Sequence, residues 1–552
     1  MTNTKAARVT TPGERGARRH AHAGLVLLII AGAQLMVVLD GTIVNIALPS
    51  MGHYFDKNQT DMTWALNAYS LAFGGLLLLG GRAGDILGRR RMFIIGLAMF
   101  TTGSFLAGIA VNFPMLLAGR VVQGLGGAIS SPTALSLITV EFEEGHERNR
   151  AIAVYAAVSG AGAALGLLLG GVLTNYFSWR WVLFVNVPIG LVLITGAFLY
   201  LHQTERLKGR FDVIGALLSV AGMVSLVYGF IHVAHSGWGN AETSAIFAAA
   251  VVLLVGFVLY EAFGAAEPMM PMRIFEERNR AGTYLVMLVV GAGMFGMFYF
   301  VTFFVQGVRD YSALKTGFAF LPIALVIGVV AQLVAKLLPR FGPKPIITVG
   351  TVLLTASMLW LSRVSVHSGY LGTLMPGMLV LAIAMGCLFV PLTSTAVSKV
   401  ANTDAGLASA LLNVGQQVGG AIGLSVLATV FQTSANNYAK VHHGELLAKV
   451  RALGPAGKAV GAKLQQVGNN GLQPADITKF VHQLPADEQP AVARFFAGPY
   501  HDFAQHIQAH ASGQGFFGAA MFGAVAILVA VFVIKIRKTD LRPQAPAELI
   551  TA

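Results

Sequence analysis

Fourteen predominantly apolar stretches succeed one another along the chain, at 24–48, 60–81, 92–111, 114–138, 150–174, 181–202, 212–235, 243–263, 282–306, 315–338, 345–362, 371–397, 405–431 and 515–536. About 20 such residues, wound as a helix, cross ~30 Å of hydrocarbon. Most of the polar segments between them are short. One is long: 433–513, before the last span, where Glu445–Val450 and Ala491–Phe496 read as short amphipathic helices interrupted by Pro455, Pro474, Pro485 and Pro490. The pattern predicts an all-α polytopic membrane protein with an even number of spans and both termini on one side.

Composition agrees. The chain is 55% hydrophobic and 11% charged, against about 25% charged in a soluble domain. Its 64 glycines suit close helix approach in lipid. The single cysteine, Cys387, excludes an intramolecular disulfide and a cysteine-based metal site. The first span is too long for a removable signal and is read as retained.

The net charge of +13 would suit nucleic acid, but its distribution points to topology instead. Of 38 Lys and Arg, 25 fall on the side of the N-terminus and five on the opposite short loops. That bias predicts cytoplasmic termini in the plasma membrane, with the positive charge facing anionic membrane lipids and no nucleic-acid partner. Six histidines fall in the external insert, and His506 and His510 stand one helical turn apart as half a metal site. No cysteine or grouped carboxylate completes it, so no metal is expected.

Two ionisable residues sit deep in predicted spans: Asp40 in the first and Arg120 in the fourth. Counted from the span ends, both lie roughly 9–12 Å inside the external boundary. A carboxylate there is costly unless paired, hydrated or protonated, which makes it a functional-site hypothesis by default. Three readings stand: a static ion pair, proton exchange at Asp40 tuned by Arg120, or substrate recognition. Candidates for the substrate path are Asn45, Trp64, Asn67, Tyr69 and Gln123. Met294, Phe298 and Phe303 join them from the run MFGMFYFVTFF (294–304), where Met and aromatic side chains form an adaptable surface.

The first cytoplasmic hairpin reads GRAGDILGRRR (81–91), with Gly81, Asp85, Gly88, Arg89 and Arg90 in an order beyond a plain basic loop. It resembles the signature loop of the major facilitator superfamily. LDGTIVNIALP (39–49), RVVQGLGGAISSP (120–132) and GAALGLLLGG (162–171) follow in the expected order. Together with fourteen spans they resemble the 14-helix drug:proton antiporter family. The span-five motif keeps Gly162, Gly166, Gly170 and Gly171 for helix packing, but Leu167 stands where that family has proline, which removes the expected kink. YSALKTGFAFLP (311–322) resembles a further family hallmark. AKLLPRFGPKP (335–345) echoes the first hairpin, with Gly342 placed as Gly88 is.

The resemblance implies two six-helix bundles, 24–202 and 281–537, with two inserted helices in 203–280 that have no direct transport role. Tails 1–23 and 538–552 flank them. It also implies proton coupling through Arg120 and Asp40, conformational gating by the signature loop, and efflux of hydrophobic or cationic drugs or secondary metabolites by alternating access. A carrier dedicated to one metabolite is the alternative. A membrane sensor whose external insert docks an accessory protein is the rival from another class, and no sequence feature supports such a partner. No cofactor is expected: no GxxxxGK[ST] loop is present for ATP, and no nucleophile–base set suggests an enzyme.

Overall fold

The computed structural model describes residues 12–536, apart from 144, 204–208, 399, 401–404 and 468–473. The predicted tail 538–552 and the first eleven residues lie outside the described residues. Every apolar stretch is a helix. In order the spans are Pro12–Phe55, Gln59–Leu87, Arg89–Gly108, Phe113–Glu141, His146–Tyr176, Trp181–Tyr200, Val213–Ser236, Ala241–Gly264, Arg278–Gly307, Ala313–Phe341, Pro343–Leu361, Tyr370–Ala396, Ala405–Arg451 and Gln489–Val533. Among the described residues thirteen are long and apolar enough to cross a membrane; span five contributes the apolar stretch Gly162–Tyr176. This is a multi-pass helical membrane protein.

Local chemistry sets the ends. Asn58, Asn112 and Ser312 accept from backbone N–H groups three residues on, at 2.8, 2.9 and 3.2 Å, and so open spans two, four and ten. Gly88 and Gly342 end spans two and ten at φ of +99° and +78°, a region that only glycine enters without strain. Each is followed by a basic residue that caps a later helix. Arg90 donates to the Phe198 carbonyl at the end of span six (2.7 Å), and Lys344 to the Val531 carbonyl at the end of span fourteen (2.9 Å). The echo seen in sequence is thus repeated in three dimensions, eight spans apart.

Span thirteen does not stop where its apolar stretch stops. The helix continues from 431 to Arg451, and the insert folds against it as Pro455–Val467, Pro474–His482 and Gln489–Phe495. A small core of Leu446, Val450, Val460, Val492, Phe495 and Phe496 holds these helices together. His506 donates Nδ1–H to the Asp502 carbonyl (2.7 Å), while His510 lies against Tyr438.

Spans one to six pack among themselves, chiefly three on four, two on four and one on five; nine on thirteen, eleven on twelve and ten on twelve dominate the other half. Two seams join the halves, span two against thirteen and span five against ten. Span seven lies across the first. It touches both helices, with Leu71, Val227, Ile231 and Ala421 buried together and Thr429 donating to the Phe230 carbonyl at 2.6 Å.

Span seven is also tied down at both ends. His235 meets Asp61 at 3.2 Å. At the other end Asp212 caps Gly215 (2.9 Å), and Glu267 accepts from the Arg210 backbone N–H (3.1 Å) and pairs with Arg82 of the signature hairpin. The Arg210 N–H, then Arg82, hold the Glu267 carboxyl below its ordinary range. A carboxyl shifted downward keeps its tie above the ordinary carboxylate range and loses it only as pH falls through the depressed value. The clamp is therefore intact near neutrality.

Candidate functional site

The Asp40 carboxylate and the Arg120 guanidinium meet inside the first half, and the helices around them explain how. Spans two, three and four approach closely because glycine faces the contacts. A Cβ on Gly103 would come within 2.5 Å of the Gln123 nitrogen, one on Gly119 within 2.6 Å of the Ala107 nitrogen, and one on Gly124 within 2.6 Å of the Tyr69 carbonyl oxygen. Gly124→Val should therefore destabilise the protein by about 1–3 kcal/mol, the usual range for overpacking. Gly256→Ala, where a Cβ meets nothing within 4 Å, should not. Thermal unfolding in detergent distinguishes them.

Asp40 is 0% exposed and Arg120 1%. Arg120 donates Nη1–H to Asp40 Oδ2 at 2.5 Å and to Gln123 Oε1 at 3.0 Å, and Nε–H to the Ala65 carbonyl at 2.9 Å. Its guanidinium lies 4.5 Å from the centre of the Tyr69 ring, a cation–π contact. The other carboxylate oxygen, Oδ1, accepts from Gln123 Nε2 (2.9 Å) and Asn186 Nδ2 (3.0 Å); Gln123 Nε2 also donates to Ser104 Oγ. Spans four and six thus bond the carboxylate of span one directly, and spans two and three hold the Arg120 and Gln123 that do so. Burying such a pair is tolerable only on those terms.

Asn186 and Ser104 are site residues that sequence reasoning missed. Asparagine and serine inside apolar helices carry no contrast of the kind a charge does. For Asn186 a signal exists in Pro188. Proline lacks an N–H and its ring crowds the carbonyl four residues back, and span six is indeed two pieces, Trp181–Phe184 and Asn186–Tyr200.

The other candidates scatter. Gln123 and Tyr69 join the ion pair. Asn67 donates to Ser425 Oγ (2.9 Å) across the seam between spans two and thirteen. Trp64 lies beside Tyr228 and packs against the cluster shared with span seven. Asn45 donates to the Gly41 carbonyl (3.2 Å) within its own helix. Met294 Sδ accepts from Gln416 Nε2 (3.8 Å), Phe298 lies against Phe320, and Phe303 against Tyr299.

In the signature hairpin, Asp85 accepts from Arg89 Nε (3.1 Å) and Nη2 (3.0 Å), and Arg89 reaches the Ser136 carbonyl (3.3 Å). A Cβ on Gly81 would make ordinary contact with Pro132, at 3.6 Å. In span five, Gly162, Gly166 and Gly170 admit span one: a Cβ there would meet Leu35, the Leu39 carbonyl and the Ile43 carbonyl at 3.0, 2.9 and 2.7 Å. Gly171 faces the other way: a Cβ there would come within 2.8 Å of the Ala313 carbonyl oxygen of span ten, and one on Gly317 of span ten within 2.7 Å of the Leu167 carbonyl oxygen. With leucine at 167 span five runs on unbroken through this seam.

The halves are also bonded at the end that bears the insert. Thr60 donates to Gln432 Oε1 (3.0 Å), Gln306 Nε2 to the Ile46 carbonyl (3.1 Å), and the Tyr299 hydroxyl to the Gln59 carbonyl. That end is shut. Two helical halves bonded to each other at one end, the first of them holding a sealed charge pair, define a membrane transporter.

The chain belongs to the Major Facilitator Superfamily, which it matches over residues 30–424. It is 42% identical over 422 residues to puromycin resistance protein pur8 of Streptomyces alboniger, covering 75% of this chain and 83% of that one. It is 32% identical over 525 residues to a tetracenomycin C resistance and export protein of Streptomyces glaucescens, covering 95% and 93%. Among solved structures it resembles a bacterial homolog of the human lysosomal transporter Spinster, captured inward-facing and unoccupied, with TM-score 0.60, 15% identity and coverage of 95% and 99%.

Proposed function

We propose that the protein exports hydrophobic or cationic drug-like molecules or secondary metabolites across the plasma membrane in exchange for external protons. The excess of basic residues on one side supports a cytoplasmic N-terminus and an external insert. The observation that carries the reading is the sealed Asp40–Arg120 pair: a carboxylate held against a cation, both fully buried within the spans, where a charge is costly and marks function. The export and resistance relatives support the direction and the class of cargo. Their names, each tied to a single compound, favour a narrow range as the second reading.

Protonation of Asp40 from outside would weaken its hold on Arg120 and ease the movement of span one against span four. Breaking the bonds at the insert end opens the outer face, and remaking them returns the carrier inward. The energy suffices without a cofactor. A potential of ~100 mV and one pH unit together give about 3.7 kcal/mol per proton, or roughly 500-fold accumulation of a neutral solute.

The test is uptake of fluorescent drugs into inverted membrane vesicles under an imposed pH gradient. Accumulation that collapses with a protonophore is expected. Accumulation indifferent to the gradient would refute antiport.

A further inference from the structure

We infer that Asn186 is a positioning residue for Asp40, holding the ionised carboxylate as a donor and accepting from the acid once it carries a proton. The inference rests on the proton-exchange reading above.

Asn186 is 0% exposed and begins the second piece of span six, where the break ahead of Pro188 sets it beside Asp40. Its Nδ2 donates to Asp40 Oδ1 (3.0 Å), the oxygen that Gln123 Nε2 also reaches, while Arg120 takes Oδ2. The charged form is thus met by three donors. Yet Asn186 Oδ1 is buried with no hydrogen-bond partner among the described residues. Buried amide oxygens are rarely left so, and this one points to a partner that arrives in another state.

Proton binding supplies that partner. An ionised carboxylate only accepts, whereas a protonated one must also donate. Around Asp40, Arg120 offers donors alone, and the Gln123 carbonyl oxygen already accepts from Arg120 at 3.0 Å. The neighbouring acceptor with both lone pairs unused is Asn186 Oδ1, which a half-turn about the Cβ–Cγ bond exchanges with Nδ2. The proton comes from the outer solvent to an Asp40 oxygen and leaves from it to the cytoplasm. Asn186 neither gains nor loses one. The charged and titratable groups facing Asp40 from its packed neighbours are Arg120 on span four and Tyr69 on span two; Gln123, Ser104 and Asn186 are neutral. Span six therefore registers the proton through a single amide.

The test compares Asn186→Leu, Asn186→Asp, Asp40→Asn and wild type in proteoliposomes, reading the pH of half-maximal gradient-driven efflux together with drug counterflow. Hydrogen bonds to a charged partner are about twice as strong as neutral ones, so losing the amide disfavours the ionised acid more than the protonated one. The midpoint should move up by about one pH unit in Asn186→Leu. It should move further in Asn186→Asp, which keeps an acceptor and loses the donor. Counterflow, which moves no net proton, should fall less than driven efflux at the wild-type optimum. An unmoved midpoint in whichever variant folds, or equal losses in both assays without a shift, would overturn the inference and leave Asn186 a packing residue. Wild-type driven efflux by Asp40→Asn would instead remove the proton-exchange reading and this inference with it.

Discussion

Asp40→Asn is expected to abolish gradient-driven accumulation, and to lower stability as well, because the buried Arg120 charge loses its counter-charge. Asparagine keeps the shape of the side chain and an oxygen facing Arg120 Nη1, so the contact now at 2.5 Å retains a neutral form. What it loses is the proton site. Drug should then equilibrate across the membrane instead of accumulating, a loss of up to about 500-fold in the gradient reached. Counterflow between drug-loaded and drug-free sides isolates substrate movement and should persist. A mutant that concentrates drug as wild type does would reduce the ion pair to a structural lock between spans one and four.

Arg120→Met is expected to give the largest loss of stability. Removing one partner of a buried pair leaves an uncompensated charge, at about 3–5 kcal/mol. Asp40 is 0% exposed and enclosed by its neighbours on spans four and six, so its charge is held away from bulk solvent. The double variant, Asp40→Asn with Arg120→Met, should recover most of that loss, because neighbours in one network are not additive. It should not recover transport. Unfolding temperatures in detergent give the stability cycle, and the vesicle assay gives the second readout. Equal destabilisation of the single and double variants would show that the packing of Arg120 on Tyr69, not its charge, holds the site.

What was legible in sequence follows from contrast. Asp40 and Arg120 stand out because a charge among apolar residues is costly and therefore informative. The span-five glycines Gly162, Gly166, Gly170 and Gly171 were legible as close-packing positions, and Gly88 and Gly342 as a repeated turn; Gly103, Gly119 and Gly124 of spans three and four were not singled out. Trp64 was drawn into the substrate path because hydropathy fixes depth along a helix and says nothing of which way a side chain faces; its face belongs to span seven. The apolar stretch of span thirteen ends near 431 because the hydrocarbon does. Its helix runs on to Arg451, since the Ala-, Leu- and Lys-containing segment beyond has no proline to stop it. Asn186 stayed hidden for the opposite reason to Asp40: a neutral amide is cheap enough in a helix to attract no notice until its partner is seen.

The placement of span seven bears on how a greasy molecule reaches the carrier at all. Compounds that partition into the bilayer arrive sideways, and a two-halved transporter offers them two flanks. On one flank span seven lies over the join of spans two and thirteen, pinned by Asp61 at one end and linked through Glu267 and Arg82 at the other. On the other flank spans five and ten meet at Gly171 and Gly317, with no helix laid over them among the described residues. Cargo drawn from the leaflet would thus have a single doorway, and its frame is the glycine seam that leucine at 167 leaves straight.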